Sequence, residues 1–270
     1  MVRIIGFFVG LGFISALLWA MLWTPLTNER SATAAFVEEH YELDLPSNGV
    51  FGHFDQAQLQ RGLKVYQEVC AACHGLSLVR FGSLDALGYE EGQIKTLAAQ
   101  FQIPSINPDT GEPATRPGLI SDMFPSPYAN EVAARAANNN AYPPDLSLIT
   151  KARHGGAAYI HALLTGYQDP PANLPANLRP GTGLYYNPAF ANLNIAMPPP
   201  LTDGQVTFDD GTPSTRANMA RDVSAFLVWT AEPELATRHA YGWAVLGFLL
   251  VLTVLAYMSY RSIWADKKGH

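Results

Sequence analysis

Both cysteines of the chain fall within five residues, Cys70-Ala71-Ala72-Cys73-His74. Two thiols separated by two residues and followed at once by an imidazole form the C-x-x-C-H pattern of c-type haem attachment. In that chemistry Cys70 and Cys73 make thioethers at one edge of a porphyrin, and His74 is held beneath the iron as its proximal ligand. The alternatives are a structural disulfide, half of a zinc site, or a thioredoxin-like redox pair. A zinc site lacks its other two thiolates. A redox pair does not need the histidine, and no βαβ pattern surrounds this one.

Six-coordinate iron needs a ligand on its other face, which can be Met, His or left open. The candidates are Met123, Met197, Met219, His53, His154 and His161. Met219 lies on the apolar side of a helical stretch, where methionine is usually core filler. Met123 stands in a proline-rich segment with no clear role. Met197 precedes Pro198-Pro199-Pro200, which stiffens the backbone and holds a thioether without help from a helix. His154 beside Gly155-Gly156 reads more simply as a hydrogen-bonded residue at a helix start. Its neighbour Arg153 is either a surface arginine or a bidentate partner for a buried propionate.

These residues need elements to position them. Leu59, Leu63, Tyr66 and Cys70 recur at helical spacing, which predicts a helix over Gln56–Cys73 with the motif at its end. Gly62 on that helix would admit a second helix closely. Ala217–Glu232 is a second helical stretch, preceded by Pro213 and ended by Pro233. Given the haem motif, the last helix is expected to cross the first. Between them, Pro104–Tyr128 and Pro170–Pro200 read as long irregular segments, which compact domains seldom carry without a reason such as wrapping a large flat cofactor. Shorter helical patterns fall in Tyr128–Asn140 and Pro144–Thr165. The fold class is mainly α: a class I cytochrome c-like haem domain with long irregular insertions, plus a C-terminal transmembrane helix.

Ile4–Trp23 and Tyr241–Tyr260 are uncharged apolar runs, each long enough to cross a bilayer. Tyr241, Trp243, Tyr257, Tyr260 and Trp264 near the ends of the second favour the membrane interface, and Arg261, Lys267 and Lys268 favour the cytoplasmic side. The first run is either a signal peptide, with small residues at Ser31–Ala35, or a retained anchor. The expected divisions are 1–30 signal or anchor, 31–236 extracytoplasmic haem domain, 237–261 transmembrane helix and 262–270 cytoplasmic tail. The middle segment carries 21 acidic and 11 basic residues, against −6 for the whole chain. That balance disfavours nucleic acid and suits a basic protein partner. With no third cysteine, the external domain has no intrachain disulfide to stabilise it once haem is attached.

The chain also resembles the cytochrome c1 family, the haem subunit of bacterial ubiquinol–cytochrome c reductase (cytochrome bc1) complexes. The resemblance is carried by Arg61-Gly62, Val65-Tyr66 and Val69-Cys70 before the motif, then by Arg116-Pro117-Gly118, Ser121-Asp122 and Phe124-Pro125. It continues through Ala133-Ala134-Arg135-Ala136-Ala137-Asn138-Asn139, Pro143-Pro144-Asp145-Leu146-Ser147 and Ala152-Arg153-His154-Gly155-Gly156. Gly183-Leu184-Tyr185-Tyr186-Asn187-Pro188, Ile195-Ala196-Met197, Phe208-Asp209-Asp210-Gly211-Thr212-Pro213 and Glu232-Pro233 complete it. In order and over most of the chain, these are far more specific than a single motif.

The resemblance implies one covalent haem c on Cys70 and Cys73, with His74 and Met197 as iron ligands. It implies Arg153, Asn138 and Tyr159 near the propionates. It further implies an electron carrier within quinol–cytochrome c reductase, without acid–base chemistry of its own. The implied partners are cytochrome b, the Rieske iron–sulfur protein, a soluble or tethered cytochrome c, and the bilayer, in a dimeric complex. The implied location is the bacterial inner membrane, with the haem domain periplasmic. Three departures stand out. A cysteine pair that ties the loop before the methionine in some relatives is missing, Asn173–Arg179 looks like added loop, and a retained N-terminal span is unusual. Competing readings are a membrane-anchored cytochrome c serving another oxidase or reductase, a thiol–disulfide oxidoreductase, and a haem sensor with an open sixth position.

Overall fold

The computed structural model describes residues 2–23, 32–38 and 43–265. Ser31 and the basic pair Lys267 and Lys268 lie outside them. The chain divides into two compact units, Met1–Phe36 and Val37–His270. The first holds α1 (Val2–Trp23), an apolar helix of 22 residues exposed along its whole length.

The second unit is organised by two helices. In α2 (Gln56–Val65) the Asp55 carboxylate caps the start, accepting from the amides of Ala57 and Gln58. The expected helix does not continue in α form to Cys73. Tyr66–Cys70 is a π turn in which the Ala71 amide donates to the Tyr66 carbonyl at 2.8 Å. Such widened turns concentrate at functional sites, and this one carries the chain directly into the cysteine motif.

A 3₁₀ turn (Phe81–Leu87) and α3 (Glu91–Ala98) follow, neither of them anticipated. The segment Pro104–Tyr128, expected to be irregular, contains an antiparallel hairpin, β1 (Gln102–Ile106) with β2 (Pro113–Pro117). Its prolines are tolerated because a two-stranded ribbon is all edge and leaves them free of a second ladder. Then come α4 (Glu131–Ala137), α5 (Ile149–Ala152) and α6 (Gly156–Thr165). The second proline-rich stretch is nearly as irregular as expected. It holds one 3₁₀ turn (Ala176–Leu178) and the two-residue strands β3 (Tyr185–Tyr186) and β4 (Asn194–Ile195).

The closing helices are α7 (Arg216–Ala231), capped by the Thr215 hydroxyl, and α8 (Leu235–Ala265). α2 packs on α7 through Leu59, Leu63, Met219, Val223 and Phe226, all essentially inaccessible. Met219 is thus core filler, as its position on the helix indicated. Beside the crossing, Tyr66, Phe81, Phe101 and Phe124 form an aromatic cluster, with Phe81 and Phe124 centroids 4.3 Å apart. The chain is mainly α, as the sequence indicates. α8, 31 residues or about 46 Å, is apolar and exposed on its membrane-length window.

Candidate haem-attachment site

The π turn and the turn after it set the spacing of the motif. The amides of Cys73 and His74 both donate to the Cys70 carbonyl, at 3.0 and 2.9 Å. The two cysteines are partly buried and form no disulfide with each other. Burial, then the neighbouring Cys73, pushes the Cys70 thiol up to about 12. A disulfide-exchanging cysteine needs the opposite shift, toward thiolate.

His74 is oriented with equal definition. Its Nδ1 lies 2.8 Å from the carbonyl oxygen of Pro144. A carbonyl only accepts, so Nδ1 carries the hydrogen and Nε2 carries the lone pair. Burial holds the ring below the ordinary histidine value, against the opposing pull of the Pro144 carbonyl and Asp145, and so favours the neutral form. A neutral imidazole with its second nitrogen fixed by a backbone carbonyl is the usual form of a metal-ligating histidine. The backbone of the same residue is held by Tyr66, whose phenol donates to the His74 carbonyl at 3.0 Å.

Pro144 is placed by its neighbour. One Asp145 carboxylate oxygen accepts from the Ser77 amide at 2.8 Å and the other from the Ser147 amide at 2.9 Å. The Ser147 hydroxyl accepts from the Leu78 amide, and the Leu146 amide donates to the Gly75 carbonyl. Residues 143–147 are thereby zipped onto residues 75–78, just past the motif. Burial pushes Asp145 up, but hydrogen bonds from Ser147 and Ser77 outweigh it and hold the carboxyl below its usual range. Pro144, Asp145 and Tyr66 thus act on His74 with no role assigned to them from sequence. The Asp-x-Ser spacing was the available signal, since Asp caps its own chain two residues on. Asp145→Ala removes two charge-assisted bonds, each worth about 1.5–3 kcal/mol. The expected result is a loss of about 3 kcal/mol in urea unfolding of the assembled protein, with haem still covalently attached.

An open depression of about 300 Å³ lies alongside, lined by Ser77, Leu78, Pro144, Asp145, Leu148, Ile149, Ala152 and Arg153. Arg153 therefore lines the same depression as Pro144, the residue whose carbonyl orients His74. Its guanidinium also hydrogen-bonds Tyr159. Tyr159 in turn is close enough to Tyr167 to raise its pKa, after burial, which acts more strongly. The Tyr167 phenol donates to the Met197 carbonyl at 3.0 Å. Arg153, Tyr159 and Tyr167 thus lie in sequence between the depression beside Pro144 and the Met197 backbone. Asn138 is held in its own segment, its side-chain amide donating to the Tyr128 hydroxyl and the Ala134 carbonyl. A second open cavity, about 370 Å³, is lined by Gln67, Gly92, Gln93, Thr96, Leu97 and Gln100 and offers no titratable group.

Paired thiols, a neutral histidine with a directed Nε2, and a methionine on a fixed backbone fit covalent haem c. Fold and site define a mainly helical domain with a c-type attachment motif, joined to a helix of membrane-spanning length. The model of the cytochrome c1 family matches residues 45–267. The chain is 45% identical over 240 residues to cytochrome c1 of Rhodospirillum rubrum, covering 84% of this chain and 88% of that protein. It is 47% identical over 245 residues to cytochrome c1-2, heme protein, mitochondrial, of Solanum tuberosum, covering 88% and 92%. It is 46% identical over 222 residues to the cytochrome b-c1 complex catalytic subunit, mitochondrial, of Candida albicans, covering 82% and 74%. The chain belongs to the cytochrome c1 family.

Proposed function

We propose that this chain is the haem-bearing, membrane-anchored subunit of a ubiquinol–cytochrome c reductase complex. In that role it takes electrons from a Rieske iron–sulfur protein and passes them to a soluble or tethered cytochrome c. The observation that carries the proposal is His74: its Nδ1–H is committed to Pro144, which leaves the Nε2 lone pair for iron next to Cys70 and Cys73, which form no disulfide. The names of the relatives support it, since they include a cytochrome c1 heme protein and a subunit of a b-c1 complex.

Haem c bound at Cys70 and Cys73 supplies a one-electron ferric/ferrous couple. The chain's own residues hold it. His74 supplies a neutral nitrogen ligand, and Met197 a soft thioether that favours the ferrous state. Arg153, hydrogen-bonded to Tyr159, supplies a fixed positive charge for a propionate. Asn138 would join them by exchanging its bond to Tyr128. No residue needs to accept or donate a proton for turnover. The acidic balance of residues 31–236 would steer a basic cytochrome c. α8 anchors the domain beside cytochrome b, with the haem domain periplasmic and the basic end cytoplasmic, in a dimeric complex of a bacterial inner membrane.

Mass and optical spectroscopy of the chain purified from membranes test this directly. The expected product has the mass of polypeptide plus one haem, no titratable thiol, and a reduced spectrum that carbon monoxide leaves unchanged. A colourless chain with two titratable thiols would overturn the proposal. Carbon monoxide binding would instead favour an open sixth position.

A further inference from the structure

Outside the attachment site, one exposed apolar feature has a geometry that says what covers it. Residues 43–54 form a strap between the last two helices. At one end Arg221 of α7 donates to the Asp44 carbonyl at 2.7 Å. At the other, His239 of α8 lies with Nδ1 3.1 Å from the Gly52 carbonyl. Between these ties the strap folds into two tight turns, closed by Asn48 N–H to Leu45 O and by Gly52 N–H to Gly49 O. Gly52 packs so tightly that a Cβ there would lie 2.2 Å from the Ser47 carbonyl oxygen. At the tip, Val50 and Phe51 are 62% and 77% exposed.

The level of this tip is set by α8. The Phe51 ring stacks on the Trp243 indole, with centroids 5.4 Å apart and planes 17° apart. Arg238 and Arg261 bracket an uncharged stretch of α8. Trp243 lies within it and Trp264 just beyond Arg261; the two stand 21 residues apart, about 32 Å of helix, which matches a hydrocarbon core of about 30 Å. Tryptophan favours that boundary. If Trp243 marks one interface, Phe51 stacked on it occupies the same level.

We propose that the turn Ser47–Gly52 is a lipid-seated foot, with Val50 and Phe51 inserted among phospholipid headgroups beside Trp243. This rests on the reading of α8 as a membrane span. Three observations favour lipid over a protein partner. The tip is continuous with the lipid-facing surface of α8. Residues 46–54 carry no Asp, Glu, Lys or Arg, and their apolar tip is flanked by Ser47, Asn48 and His53, which matches the gradient of the headgroup layer. Two exposed side chains offer far less than the ~800 Å² per partner of a stable protein interface. The turn's amides at Asn48, Gly52 and His53 are bonded within the strap, so shallow immersion leaves those donors satisfied. Tied to α7 and α8 at its two ends, such a foot would fix the tilt of the haem domain over the bilayer.

Because Cys70 and Cys73 are consumed by haem, Val50→Cys adds the chain's sole free thiol. The test attaches a short diazirine to that thiol in the intact complex in native membranes and identifies the photoproducts by mass. Val132→Cys, on the exposed face of α4, is the control. Adducts with phospholipid are expected at position 50, several-fold above those at position 132, which should yield mainly water insertion. Water insertion at position 50 equal to the control, or a dominant crosslink to another protein chain, would overturn the foot. Carbonate washing of the membranes separates this from the membrane-span reading. A chain released by carbonate refutes the span, whereas a retained chain with no lipid adduct refutes the foot alone.

Discussion

Replacing Met197 by leucine is expected to lower the midpoint potential by on the order of 0.2 V, within the roughly 0.8 V that axial ligands command, while haem stays covalently bound. At 59 mV per decade for one electron, that is more than a thousandfold in the ferrous-to-ferric ratio. Leucine and methionine have similar volumes, so the substitution removes the thioether with little change in packing. The backbone that carries the side chain is fixed independently of it. Tyr167 donates to the Met197 carbonyl. Buried Asn187 reaches the Leu163 carbonyl at 2.8 Å with its side chain, and its own amide donates to Leu193 at 2.7 Å. The loss is therefore electronic, the exchange of a soft sulfur ligand for none. Redox titration measures it, and the reduced variant should gain carbon monoxide binding. Met123→Leu and Met219→Leu are the controls, because one is solvent-exposed and the other sits in the core with its sulfur 3.3 Å from the Ser214 hydroxyl. An unchanged potential in Met197→Leu would remove that residue from the iron.

The parts of this site that could be read from sequence are those whose signal is local. Five consecutive residues announce the attachment chemistry. Regular apolar spacing announces α2 and α7, and uniform apolarity announces α1 and α8. The π turn at Tyr66–Cys70 has no such signature, because the side chains keep a helical spacing while the backbone bonding widens from four residues to five. The β1–β2 hairpin was hidden by Pro104, Pro113 and Pro117, residues that argue against a strand unless the ribbon has no further neighbours. The devices that orient the ligands were the least visible. Pro144 acts on a histidine 70 residues earlier, and Tyr167 acts on a methionine 30 residues later. Each is a lone polar group in a loop until the fold brings its partner near.

Gly62→Ala is expected to cost about 3 kcal/mol or more, a large share of the 5–15 kcal/mol that holds a typical domain together. In an ordinary helix the same change stabilises by roughly 0.5–1 kcal/mol, so the sign itself is diagnostic. A Cβ at position 62 would lie 2.2 Å from the Asp222 carbonyl oxygen and 2.6 Å from the Phe226 Cβ. The first obstacle is backbone, which cannot swing aside, so α2 and α7 must separate. Overpacking of this kind costs about 1–3 kcal/mol by itself. Separation also stretches the polar contacts that bridge the same crossing. Buried Asp222 accepts from Arg61 at 2.7 Å and from Gln58 at 3.1 Å, and Arg61 reaches on to Asp210. Weakening a buried pair leaves a charge without compensation, which is costly. Because α2 leads directly into the π turn and the motif, the yield of haem-attached protein should fall along with the urea midpoint. Gly92→Ala on α3 is the matched control, since nothing lies within 4 Å of its added Cβ. Equal stability of the two variants would mean that the helices do not approach as closely as the Gly62 geometry requires.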